Sequence, residues 1–97
     1  MNQPMQQNLQ VKIDDETLKG HYANMMQVAH NREEFMFDFM NMFPPAGVVV
    51  ARLYMSPGHV KRVVRALAEN LKAYEQNFGA IKEADAPAGD FGFLEKK

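Results

Sequence analysis

The residues best suited to proton transfer or metal ligation are three histidines, and their placement argues against both roles. His21 and His30 lie nine positions apart on or beside one candidate strand, an odd separation that sends them to opposite faces, while His59 belongs to a helix start. No pair has the i, i+2 or i, i+4 spacing of a metal site, so surface and capping roles are expected, with no metal and no cofactor. Glu33, Glu34 and Asp38 are the candidate acid–base carboxylates. As strand residues, Glu34 and Asp38 share a face but stand roughly 13 Å apart, too far to act together. A turn charge and a satisfied interface carboxylate explain them better. Phosphate-loop, dinucleotide, nucleophile-elbow and zinc-protease motifs are all missing, and Gly89-Asp90-Phe91-Gly92 stands alone without other kinase motifs. An enzyme is not expected.

Lys61, Arg62 and Arg65 form a basic cluster near a helix N-terminus, where the macrodipole also favours anions. Weak nucleic-acid or phosphate contact is the sharp reading. Glu69 and Glu75 follow on the same helix, and a solvated face accounts for the cluster more simply. Eleven basic and 12 acidic side chains leave a formal charge of −1, which creates no long-range field toward nucleic acid or anionic lipid. Without cysteine there are no disulfides and no thiolate zinc sites. No apolar run approaches the ~18 residues of a membrane span and no signal-peptide pattern opens the chain, so a cytoplasmic protein is expected.

The elements that hold these residues follow from periodicity. At 97 residues the chain fits one domain with one core, and a domain this small gains from burying a second face against another copy. Residues 1–8 are expected to be a disordered arm, residues 9–81 a single α+β domain, and residues 82–97 a flexible tail in which Phe91, Phe93 and Leu94 form a short apolar cluster. Leu9, Val11 and Ile13 alternate with polar residues and predict a first strand ended by Asp14-Asp15-Glu16. His21 to Ala29 predicts the second. Glu34 to Phe43 predicts the third, with Phe35, Phe37 and Phe39 on one parity and Met36, Asp38, Met40 and Met42 on the other. Pro44 to Gly47 then turns the chain into a fourth strand, Val48 to Met55.

Ser56 suits a helix N-cap and Pro57 its first position, where the missing N–H is harmless. Val60, Val63, Val64, Leu67, Leu71, Tyr74 and Phe78 follow as one apolar stripe, and Gly79 supplies a C-cap. The expected fold is therefore a four-stranded antiparallel meander followed by one long amphipathic helix packed on one sheet face.

Such a helix covers only one side of the sheet. Tyr22, Met26, Val28, Phe35, Phe37, Phe39, Val49, Ala51 and Leu53 make the better inner face. The opposite face carries Met25, Met36, Asp38, Met40, Met42, Val48, Val50, Arg52 and Tyr54, too apolar for ordinary solvated surface. With 8 methionines in the chain, that face suits an adaptable contact surface. A homo-oligomer, dimer or tetramer, is the leading expectation, with Asp38 and Arg52 pairing across adjacent strands inside the interface. A holdase-like chaperone or adaptor that takes a protein or peptide partner by its extended apolar segments is the alternative.

Several strings occur together in order: Tyr22-Ala23-Asn24-Met25-Met26-Gln27-Val28; Glu33-Glu34-Phe35 leading to Asp38-Phe39 and Pro44-Pro45; Ser56-Pro57-Gly58-His59-Val60-Lys61-Arg62 with Arg65-Ala66-Leu67 and Glu69-Asn70. In this combination, over about Val11 to Gly79, the chain resembles a small prokaryotic family known as domain of unknown function thirty-four sixty-seven. The resemblance implies a fold and no assigned activity. The strands-then-helix order also looks like the subunit plan of the SecB export chaperone, which would imply oligomers that hold unfolded clients in apolar grooves.

Overall fold

A computed structural model describes residues 8–87. Two helices and three strands follow in the order α1 (Asp15–Lys19), β1 (Met25–His30), β2 (Phe35–Phe43), β3 (Ala46–Met55) and α2 (Pro57–Phe78). The strands form one antiparallel sheet with β2 in the centre. The expected arm lies, but for Asn8, outside the described residues, and so does the Phe91, Phe93 and Leu94 cluster.

The class is α+β, but the sheet has three strands rather than four. Leu9 to Ile13 has the alternation of a strand but joins neither open edge of the sheet, and Leu9 and Val11 are 83% and 92% exposed. The acidic run expected to end that strand instead opens α1. Asp14 is its N-cap, with its carboxylate accepting from the Thr17 N–H at 2.7 Å, and Asp15 and Glu16 occupy the favourable first turn. Gly20 closes the helix at φ 75°, a conformation that costs glycine little. The second strand begins at Met25, which leaves Tyr22 outside the sheet and exposed.

The β1–β2 turn is built by Asn31, whose side-chain oxygen accepts from the N–H groups of Glu33 and Glu34 at 2.8 and 2.9 Å. At the opposite end of that ladder Asn24 acts as an extra rung. Its side-chain nitrogen donates to the Met42 carbonyl at 2.9 Å, and its side-chain oxygen accepts from the Met42 N–H at 2.8 Å. Pro44 and Pro45, joined by a cis peptide bond, link β2 to β3.

Between β2 and β3 the register slips once. Phe39 faces Ala51 and Met40 faces Val49, so Val50 is the extra residue of a bulge. Beyond it the parity of β3 reverses. Val49 therefore lies on the methionine side, while Val48 faces Asn41 on the phenylalanine side, the opposite of what unbroken alternation predicts.

Helix α2 forms where expected. Ser56 caps it, its hydroxyl accepting from the His59 N–H at 3.2 Å, Pro57 begins it, and Gly79 ends it with φ 98°. It does not pack along a face of the sheet. A single residue, Ser56, joins β3 to α2 in an extended conformation (φ −65°, ψ 152°) favoured by the following proline, and the helix leaves the end of the sheet without packing on it. The packed-helix part of the four-strand plan is thereby corrected, and the structure does not support the likeness to SecB. Only Phe37, Asp38 and Met40 are buried among the described residues, all on the central strand.

Candidate interaction surface

The side chains that suit chemistry remain dispersed. Among the described residues no group of three or more His, Asp or Glu side chains comes together in a way that would hold a metal ion. His30 stacks on Phe35 with ring centroids 5.1 Å apart, and His59 lies in the first turn of α2. Glu34 is exposed and precedes β2, whereas Asp38 is buried within it. Lys61, Arg62 and Arg65 are exposed on α2. None forms an ion pair within 4 Å among the described residues.

The methionine face is assembled by register. Met25 opposes Met40 across β1–β2, Gln27 opposes Asp38, and on the other side Met36 faces Tyr54, Asp38 faces Arg52, and Met40 faces Val49. Met42 faces Gly47, and its thioether occupies the space a side chain there would need. Of the expected interface, Met25, Met36, Asp38, Met40, Met42, Arg52 and Tyr54 share this face. Val48 does not, and Val50 is the bulge residue. Met40 and Asp38 are already covered by their neighbours, while Tyr54 stays largely exposed at the rim.

Asp38 and Arg52 are the charged centre of that face. Arg52 donates from Nε to Oδ1 at 2.6 Å and from Nη2 to Oδ2 at 2.8 Å, a bidentate pair between residues directly opposite on adjacent strands. The Arg52 hydrogen bonds hold the Asp38 carboxyl below its ordinary 3.8 against the opposing effect of burial, and Asp38 in turn raises the Arg52 guanidinium. A lowered folded-state value means that the unfolded chain takes up the proton first as pH falls. Stability from this pair is therefore complete above the ordinary carboxylate range and is lost as pH drops through the folded value. Asp14, held low by its hydrogen bonds to Thr17, acts in the same direction. Between pH 5 and 2, denaturation midpoints should fall for the native chain and fall less steeply for Asp38→Asn. An unchanged slope would show that this carboxylate is not a source of the acid sensitivity.

The other face carries a phenylalanine ladder along β2. Phe35 and Phe37 stack with centroids 6.4 Å apart, and Phe37 and Phe39 at 6.2 Å. Met26, Val28 and Leu53 flank it from β1 and β3 and remain substantially exposed. Where α2 leaves the sheet, Phe35, Pro57, Gly58, Val60, Lys61 and Val64 line an open cleft of about 420 Å³. Beyond that cleft the apolar stripe of α2 meets solvent, from Val64 at 60% to Phe78 at 74% exposed.

Two asparagines of this region carry signals that alternation does not. Asn24 is an amide directly before a strand, placed to extend a ladder with its side chain. Asn41 has a buried side-chain oxygen with no hydrogen-bond partner among the described residues, an unmet acceptor on the Val48 side of the sheet. No described helix is long and apolar enough to cross a membrane.

A family model described as protein of unknown function (DUF3467) matches residues 1–83. The match extends past Val11 to Gly79 and takes in the N-terminal segment as well. No curated protein matches. No solved structure matches either.

Proposed function

The chain belongs to the DUF3467 family, and because that membership brings no activity with it, we propose from its surfaces that it is a non-enzymatic protein-interaction domain working as a homo-oligomer, dimer or tetramer. The supporting observation is the imbalance between core and surface. Among the described residues Phe37 and Met40 are the buried hydrophobic side chains, while Met26, Val28 and Leu53 of the sheet and Leu67, Leu71, Tyr74 and Phe78 of α2 stand open. The uncovered area includes both rims of the sheet and the stripe of α2, so it is not one isolated hydrophobic spot.

On this reading the methionine face contributes a surface in which Asp38 and Arg52 are already paired, so that burying it strands no unpaired charge. Light scattering at low micromolar concentration should give a mass that is a multiple of 11.1 kDa. Replacing Tyr54 at the exposed rim with Glu should weaken association if that face takes part. A monomeric mass up to high micromolar concentration would dismiss the oligomer.

One observation favours a second reading, an adaptor or holdase-like protein that binds extended apolar segments. In the three-stranded order no described residue pairs with the outer edge of β3 over Ala46–Met55, a long and largely apolar edge of the kind to which another strand can add. Suppression of a model substrate's aggregation would separate this reading from simple self-assembly.

A further inference from the structure

We infer that α2 pairs with the α2 of a second copy of this chain, antiparallel, as a short two-stranded coiled coil. This rests on the oligomeric reading above and names one of its surfaces. Along the helix, Val60, Val64, Leu67, Leu71, Tyr74 and Phe78 are separated alternately by four and three residues. That is a 3.5-residue repeat held over five intervals, the period of a helix-on-helix seam. A helix lying on a sheet needs a broader stripe, with one flanking position also apolar. Here the flanks are Lys61, Ala68 and Glu75 on one side and Val63, Asn70 and Asn77 on the other. The seam is narrow, and its last five members are each at least half exposed.

Charge and size decide the direction. In a parallel pair the flanking contacts would set Val63 against Ala68 and Asn70 against Glu75, and Lys61 would face no acid. In an antiparallel pair with its two-fold axis level with Glu69, Leu67 meets the partner's Leu71, Val64 the partner's Tyr74, and Val60 the partner's Phe78. Large side chains thus stand opposite small ones at both ends. Lys61 meets the partner's Glu75, and the symmetry makes this contact twice. One oxygen of Glu75, Oε2, accepts from the Ile81 N–H at 2.8 Å, which leaves Oε1 for the lysine. Ala68 falls at the axis, where a small residue lets the helices approach. The same alignment carries the partner's Phe78 to the cleft beside Phe35, whose lining includes Val60 and Val64.

The absence of cysteine makes the geometry directly testable in the full chain. Under mild oxidation, Ala68→Cys should form a disulfide-linked dimer. Phe78→Cys should not, because antiparallel pairing holds the two positions roughly 27 Å apart along the axis. Leu67→Glu with Leu71→Glu should halve the solution mass. Should that variant lose its helix by circular dichroism, the charge variants replace it: Lys61→Glu should raise the dissociation constant several-fold, and adding Glu75→Lys should restore it. Linkage through Phe78→Cys without Ala68→Cys would overturn the antiparallel arrangement. An oligomer that survives the leucine substitutions, links at neither cysteine and ignores the charge exchange would overturn the helix pair and leave the oligomeric reading intact. A monomeric native chain would overturn both.

Discussion

Truncating Met40 to Ala is expected to cost about 2–5 kcal/mol of unfolding free energy, and Phe37→Ala about 3–5 kcal/mol, the range for emptying a packed site. These two side chains are the buried hydrophobic residues of the described structure, and they lie on opposite faces of β2. Each face of the sheet therefore has one anchor, and no second layer of side chains stands ready to collapse into the space. A domain of this size is stable by only about 5–15 kcal/mol, so either change removes a large share of the whole. Val28→Ala, at the half-exposed rim, should cost much less. Urea denaturation followed by far-ultraviolet circular dichroism measures all three. Equal losses at Val28 and Met40 would show that the stability does not reside in the centre of the sheet.

The second large effect is a dependence of stability on protein concentration. If the area left open by one chain is closed by another, unfolding and dissociation are coupled. For a dimer each tenfold rise in protein concentration then adds about 1.4 kcal/mol of apparent stability. The denaturation midpoint should move upward between 1 and 100 μM, by an amount no monomer can show. A midpoint independent of concentration would mean that the three-stranded sheet is stable by itself, despite its sparse core. Combining the two experiments is informative, because a weakened Met40→Ala sheet should recover part of its loss at high concentration.

Much of the sheet and helix was legible in the residues. The alternation of Phe35, Phe37 and Phe39 with Met36, Asp38, Met40 and Met42 marks β2 as a strand with two apolar faces, and such a strand belongs in the centre. Ser56-Pro57 and Gly79 bound α2 because capping chemistry is local. The Asp38–Arg52 pair followed from two opposite charges on one apolar face of adjacent strands, although the bulge sets the register that brings them together. What alternation cannot supply is the object on the other side. Leu9, Val11 and Ile13 have the pattern of a strand, but alternation does not decide whether an open edge takes it up. Likewise, the stripe on α2 says that one side of the helix avoids water without saying what covers it. In the fold α2 leaves the sheet directly after Ser56, and the stripe stays open to solvent.

The parity switch in β3 was hidden for a different reason. Val48, Val49 and Val50 are identical in type, so nothing in their side chains reveals which one is the extra residue. The site inherited that ambiguity, and Val48 and Val49 exchanged faces because of it.

That extra residue also bears on how this segment tolerates changes in length. Excising Val50 would leave Val49 beside Ala51, which already face the adjacent residues Met40 and Phe39, so every other rung of the ladder would keep its partner. Excising Leu53 or Arg52 would instead slide one half of the strand against β2 and turn its side chains over. The strand thus has one position where the gene can lose a codon without scrambling the sheet, and natural length variation in β3, where it occurs, belongs at that valine.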